Sequence, residues 1–331
     1  MATVTLKIDG REIEVDASLN LIEAARQLGI HIPHFCYHPG LGVDGNCRMC
    51  LVEVEGSPKP VIACNTFGKD LQGKDGPRAV QTASPKVKEW QRGVLEFLFL
   101  NHPLDCPICD QSGECFLQDY YMSHGQYESR LDIPKVHKRK VVEVGPRVML
   151  DAERCVLCTR CVRFCDQITG TGELRIVNRG HRAEITTFTD RDLDNDYSLN
   201  TVDICPVGAL TSRPFRFKKR VWLMNSVHSL CAGCARGCNI YLEHAEGTVY
   251  RYRPRENMAV NRYWMCDPGR MTLHALNEDR LETAMRGSED LAHSVALAEA
   301  ASWIRAAGDA DTAGAAAAGR SEERRVGKEC S

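Results

Sequence analysis

The chain carries sixteen soft metal-ligand side chains in four groups of four, and this constrains its fold more than any hydrophobic pattern does. The groups are Cys36, Cys47, Cys50, Cys64; then His102, Cys106, Cys109, Cys115; then Cys155, Cys158, Cys161, Cys205; and finally Cys231, Cys234, Cys238, Cys266. Thiolate and imidazole select iron–sulfur clusters, zinc or copper over hard cations. A chain that repeats such groups needs little apolar core per module, because each buried inorganic group staples the loops around it. Several redox centres in one polypeptide point to electron transfer.

Two other uses of cysteine fit less well. Seventeen cysteines could form a disulfide scaffold, but that needs an oxidising compartment, usually an even count, and an export signal. Met1–Asp9 has no signal pattern, and no run of about 18 apolar residues occurs, so a cytosolic or membrane-peripheral location is expected. Zinc is the stronger rival, since closed four-cysteine sites use similar pairs. One group alone would suit zinc; four groups at these spacings favour iron. With 43% hydrophobic residues, 26% charged and a net charge of −2, nothing calls for nucleic acid.

Each group has its own spacing. The first reads C-x10-C-x2-C-x13-C, with a glycine-rich loop at Gly40, Gly42 and Gly45. Plant-type ferredoxins similarly group cysteines on one long loop with a distant fourth, so a 2Fe–2S cluster is expected, its loop N–H groups approaching the sulfur atoms. The second reads H-x3-C-x2-C-x5-C. The cysteine triplet lacks a fourth thiolate, and Asp105, Asp110 and Glu114 are harder ligands than His102. Neutral imidazole in place of thiolate should raise the potential, as in Rieske centres.

In the third group two residues compete for the last position. Cys155–Cys165 reads C-x2-C-x2-C-x3-C, the bacterial ferredoxin run, in which the fourth cysteine ligates the other cluster of a pair. The partner run would end at Cys205, but its other ligand positions hold Asn195, Ser198 and Thr201. The expectation is a two-cluster module that lost one cluster, with Cys205 completing the surviving site and Cys165 left as a buried small hydrophobe. The fourth group reads C-x2-C-x3-C-x27-C and resembles the iron–sulfur module that opens molybdopterin oxidoreductases, a zinc ribbon being the alternative.

Local patterns place these groups on short elements. Val4–Ile8 and Arg11–Val15 alternate around Asp9-Gly10, predicting a hairpin, and Asn20 with Glu23 predicts a capping box on a helix Leu21–Leu28. Leu51–Val54 and Val61–Ala63 read as strands. Ser84-Pro85 opens a helix with Val87, Trp90, Val94 and Leu98 on one face, ending where His102 begins. His137–Lys140 reads as a solvated or partner-facing basic loop. Tyr241–His244 and Thr248–Arg253 form a second hairpin around Glu246-Gly247. Past Arg286 the chain is alanine-rich, and Gly319–Ser331 reads as an artefactual tail, which sets Cys330 aside.

The order of the four sites, with motifs such as DCPICDQSGECFLQD and ICPVGALTS, resembles the N-terminal part of the large iron–sulfur subunit, the G subunit, of the NADH-quinone oxidoreductases of respiratory complex I. The resemblance covers about residues 1–280 and implies an α+β fold of linked modules. These are a 2Fe–2S β-grasp (ferredoxin-type) domain at 1–80, a histidine-plus-three-cysteine 4Fe–4S domain at 81–140, and a ferredoxin-like 4Fe–4S domain at 141–220. A molybdopterin-oxidoreductase-type 4Fe–4S domain follows at 221–280, and 281–331 starts a truncated C-terminal domain and its tail. It further implies one 2Fe–2S and three 4Fe–4S clusters, no molybdopterin, and electrons passing from a flavin- and NADH-binding subunit toward a quinone-proximal iron–sulfur subunit. The His102 and Cys155 groups would lie on the main path and the Cys231 group off it. The implied location is peripheral, on the cytoplasmic face of the bacterial inner membrane. No acid, base, nucleophile or nucleotide fingerprint is evident, so the subunit is expected to belong to an enzyme without a substrate site of its own. The alternatives are a truncated NAD-linked formate dehydrogenase subunit, a hydrogenase diaphorase subunit, and a zinc-stapled interaction protein.

Overall fold

The computed structural model describes residues 2–309 apart from 75, 131, 189–190 and 279–282. Strands Thr3–Ile8 (β1) and Arg11–Asp16 (β2) pair antiparallel, with Ile8 opposite Arg11. Asp9 and Gly10, at φ 47° and 79°, supply the left-handed pair that such a two-residue turn requires. Helix Leu21–Gln27 (α1) starts where expected, with Asn20 Oδ1 accepting from the Glu23 N–H at 3.0 Å. Only that half of the expected capping box forms, because the Glu23 carboxylate accepts from the Tyr37 hydroxyl at 3.0 Å instead.

Leu51–Val54 (β3), Val61–Ile62 (β4), the short ladder Gln72–Gly73 (β5) with Gly76–Pro77 (β6), and Ala79–Gln81 (β7) follow. They build a five-stranded sheet in the order β2-β1-β7-β3-β4, in which β1 and β7 run parallel. Leu6, Ile8, Leu21, Val52 and Val80 pack between sheet and α1, and Cys50 and Cys64 belong to the same core. A strand mesh closed by one helix thus holds half of the first ligand group on rigid walls.

Helix Pro85–Phe99 (α2) is capped by Ser84 Oγ, which accepts from the Val87 N–H at 3.3 Å. Its buried residues are Val87, Gln91 and Leu95, so the inner face is turned by one position from the expected Val87, Trp90, Val94, Leu98 stripe. The polar member is tolerated because Gln91 Nε2 donates to the Leu51 carbonyl of β3 at 3.4 Å. Helix Phe116–His124 (α3) packs across α2.

Val142–Glu143 (β8) and Val148–Leu150 (β9) precede helix Arg160–Gln167 (α4), the hairpin Leu174–Val177 (β10) and Glu184–Thr187 (β11), the short helix Asn200–Asp203 (α5) and Leu210–Ser212 (β12). Strand β12 joins β9 and β8 in a small sheet, over a core of Phe164, Leu174, Ile185, Leu199 and Leu210. The second hairpin, Asn239–Ala245 (β14) with Thr248–Pro254 (β15), gains an unexpected third strand, Asn225–Leu230 (β13). That edge strand reads NSVHSL and is almost wholly exposed, so it lacks the alternation that would have revealed it. Helices Asp267–Met271 (α6) and Leu273–Asn277 (α7), the ladder Ala284–Arg286 (β16) with Glu289–Leu291 (β17), and helix His293–Asp309 (α8) complete the described chain. The tail Gly319–Ser331, with Cys330, lies outside the described residues.

The content is mixed helix and sheet, and the modules interlock. Phe35 and Met49 share one core with Leu95, Leu117, Tyr120 and Val207. Trp264 stacks on His38 at 5.2 Å between ring centres and meets Phe164 edge-on at 4.9 Å. The basic run is largely exposed, as expected, yet it also pairs within the molecule. Lys140 Nζ bridges Asp105, Asp151 and Glu153 at 2.6, 3.1 and 2.9 Å, and Lys138 Nζ donates to the Ala183 carbonyl. Acidic side chains brought in from two other segments convert a run of like charge into a clamp. Among the described residues no helix is long and apolar enough to cross a membrane.

Candidate metal centres

The first group lies on the loop after α1 and just beyond β4. Cys36 Sγ comes within hydrogen-bond reach of the Cys47 and Cys64 sulfurs, and Cys64 within reach of Cys50. The backbone N–H groups of Asn46 and Cys47 point at Cys36 Sγ, through a loop in which Gly45 takes φ 71°. Those sulfur contacts hold the Cys36 thiol far below its ordinary range and push Cys64 far above it. Four soft donors, Cys36 and Cys50 the more readily ionised, are thus linked by sulfur contacts near backbone donors.

The second group opens on a cavity of about 480 Å³ lined by His102, Cys106, Cys109 and Cys115, with Leu104, Met122 and Tyr127 at its walls. Cys115 caps α3, where the Leu117 and Gln118 N–H groups face its sulfur, while burial pushes the thiol up to about 12. Burial, aided by Arg154 and Lys135, lowers His102 to about 4, which leaves a neutral imidazole with a free lone pair. A Cβ at Gly208 would lie 2.3 Å from Cys109 Sγ, so that side of the site admits only glycine. The acids weighed against His102 are engaged elsewhere. Asp105 pairs with Arg154 and Lys140, Asp110 accepts from the Phe217 N–H at 2.8 Å, and Glu114 pairs with Arg251 at 2.6 Å.

The structure brings Cys155, Cys158, Cys161 and Cys205 to the lining of one small pocket with Leu150, Ile185 and Val207. The N–H groups of Leu157 and Arg160 face Cys155 and Cys158, and those of Val207, Ala209 and Leu210 face Cys205. Burial raises Cys155 to about 12 and Cys158 to about 11. Four thiols whose ionisation burial resists, beside donors that favour thiolate, suit a cationic inorganic core. Cys165 stands apart from that pocket. Fully buried on α4, it hydrogen-bonds Glu173, whose Oε1 accepts from Asn195 Nδ2 at 2.9 Å. Ser198 Oγ donates to Asp267 Oδ2 at 2.6 Å, and Thr201 Oγ1 to the Ser198 carbonyl at 2.7 Å. The positions that would have served the lost second cluster are therefore taken up by a hydrogen-bonded polar network.

In the fourth group Cys231, Cys234 and Cys266 act on the Cys238 thiol, which burial raises. A Cβ at Gly269 would stand 3.2 Å from both Cys231 and Cys266 Sγ, and the Gly233 N–H donates to Cys231 Sγ at 3.4 Å. Among the described residues no three His, Cys, Asp or Glu donors close on a single point as a one-ion site would require. Arg154, Arg160 and Gly208 border these groups and were not legible from the sequence. An arginine or glycine beside a cysteine has no periodic signature, and only the fold reveals what it faces.

Four family models match in the order of the four groups. Residues 1–70 match a 2Fe-2S iron-sulfur cluster binding domain, and 91–130 the NADH-ubiquinone oxidoreductase-G iron-sulfur binding region. Residues 145–211 match the NADH-quinone oxidoreductase subunit 3 ferredoxin-like domain, and 224–278 the molybdopterin oxidoreductase Fe4S4 domain. The chain is 42% identical over 281 residues to the NADH-quinone oxidoreductase G subunit of Rickettsia felis, covering 84% of this chain and 40% of the relative. It is 44% identical over 283 residues to the G subunit of Streptomyces coelicolor, covering 85% of this chain and 33% of the relative. The chain thus spans about 40% or less of the length of these relatives. A chain in the crystal structure of an NAD+-reducing NiFe hydrogenase in the H2-reduced state superposes with a TM-score of 0.57 at 31% identity, over 66% of this chain and 92% of that one.

Proposed function

We propose that this chain, which belongs to the family of NADH-quinone oxidoreductase G subunits, relays electrons through iron–sulfur clusters held by its sixteen grouped ligands. The reading assigns a 2Fe–2S cluster to Cys36, Cys47, Cys50 and Cys64. It assigns 4Fe–4S clusters to His102, Cys106, Cys109 and Cys115, to Cys155, Cys158, Cys161 and Cys205, and to Cys231, Cys234, Cys238 and Cys266. The observation that carries it is the small pocket lined by Cys155, Cys158, Cys161 and Cys205, with backbone N–H groups directed at its sulfurs. When bound, such clusters accept and release one electron at a time.

The chain's own residues then have definite tasks. Loop N–H groups hydrogen-bond the ligand sulfurs and so favour the reduced state, while the interlocked cores fix the sites relative to one another. His102 presents a neutral nitrogen and keeps one negative charge out of the second site. Leu150, Ile185 and Val207 line the Cys155 site with apolar surface. The modules are assigned as a β-grasp domain over 1–80 and 4Fe–4S domains over 81–140, 141–220 and 221–280, with no molybdopterin.

In this role the chain takes electrons from a flavin- and NADH-binding subunit and delivers them to a quinone-proximal iron–sulfur subunit, at the cytoplasmic face of a bacterial inner membrane. Leu104, Ile108, Met122 and Tyr127, exposed around the second site, supply apolar area for such a partner. The likeness to the NAD+-reducing hydrogenase chain favours a second reading, a hydrogenase diaphorase subunit, through which electrons would pass by the same ligand groups. Anaerobic reconstitution with iron and sulfide tests the shared core of both. About 14 iron atoms per chain are expected from one binuclear and three tetranuclear clusters. Stoichiometric zinc with little iron would overturn the relay.

A further inference from the structure

We propose that Arg160 is a buried counter-ion shared by the first and third sites, a positioning residue that ties their ligand loops together and raises the reduction potential of both. Arg160 opens α4 and is 4% exposed. Its Nη1 donates to the Ile204 carbonyl at 3.1 Å and its Nη2 to the Tyr37 carbonyl. Ile204 directly precedes Cys205, and Tyr37 directly follows Cys36. One side chain therefore grips the backbone beside a ligand of each site, while its own neighbour in sequence is Cys161.

Its charge has no ordinary balance. The other deeply buried arginines, Arg154 and Arg270, each pair with a carboxylate, at 2.9 Å to Asp105 and 2.5 Å to Asp203. Arg160 has carbonyl partners, and its Nε is buried without any hydrogen-bond acceptor. A buried cation is tolerated only against compensating negative charge. Burial disfavours its charge, and the groups that oppose this are Cys158, Tyr120, Cys205 and Cys36; Arg160 itself lines the pocket of Cys155, Cys158, Cys161 and Cys205. Ligated by thiolates, both sites carry net negative charge, and each added electron increases it. A fixed cation between them therefore favours the reduced form of both. The inference rests on the ligand assignment proposed above.

The test uses the full chain reconstituted anaerobically with iron and sulfide, as wild type, Arg160→Met and Arg160→Lys, with iron content and EPR-monitored redox titration. Arg160→Met should lower the midpoints of the binuclear signal and of the tetranuclear signal that Cys205→Ser removes, leaving the Cys231 site unmoved as internal control. Arg160→Lys, which keeps the charge, should stay near wild type in both. Full iron with unmoved midpoints in Arg160→Met would overturn the proposal. Where Arg160→Met fails to load iron, Arg160→Lys decides. Wild-type iron and midpoints then support the counter-ion, whereas failure to load leaves a purely structural clamp and overturns it. Zinc in the wild-type chain would remove the ligand assignment itself, and is seen before any variant is made.

Discussion

His102 shows how much of a site one residue can set. Its spacing from Cys106 marked it as a ligand candidate, and the fold puts it on the wall of the cavity that holds the three cysteines, with its imidazole neutral. His102→Cys should retain a tetranuclear cluster but lower its potential, since thiolate adds a negative charge. His102→Ala should make that cluster labile. Both are read by EPR titration, and unchanged spectra in the two variants would show the histidine to be structural only. The candidate ligands were legible because a metal site imposes fixed intervals that survive in a bare sequence. Residues that act on those ligands through space, such as Arg154 and Gly208, come from other segments and leave no interval to read.

Among the elements, α4 divides two cysteines of one run between different surroundings. Cys161, on its first turn, lines the third pocket, while Cys165, one turn further on, hydrogen-bonds Glu173. Cys205→Ser should therefore remove or convert a single tetranuclear signal, because a serine oxygen is a harder and poorer ligand for reduced iron. Cys165→Ser should leave every signal in place and cost little beyond local repacking. Loss of the signal with Cys165→Ser alone would instead mean four-cysteine ligation within the run. The hairpins Thr3–Asp16 and Asn239–Pro254 were readable from alternation about a two-residue turn. Strands β9 and β12 were not, because each has three residues and pairs with a distant segment, Leu150 with Leu210. The inner face of α2 was displaced for a related reason, since a strand carbonyl from Leu51 made a buried Gln91 acceptable.

For the molecule as a whole, the expected mixture of helix and sheet is present, and segments far apart in sequence share common cores. Sequence pattern reports what is local, whereas a core assembled from Phe35, Leu95, Leu117 and Val207 exists only after the chain has folded back on itself. The Trp264 contact carries a consequence for the order of events in synthesis. Its indole fills the space between His38 of the first segment and Phe164 of α4, so that seat stays vacant while the ribosome is still working toward residue 264. On the ligand assignment proposed above, the indole should act as a late lock that slows the loss of whatever the Cys36 and Cys155 sites hold. Trp264→Ala should leave that lock open. In the reconstituted protein, iron at the Cys36 and Cys155 sites should then be stripped faster by a chelator than in the wild type, and equal stripping rates would show that the indole closes nothing.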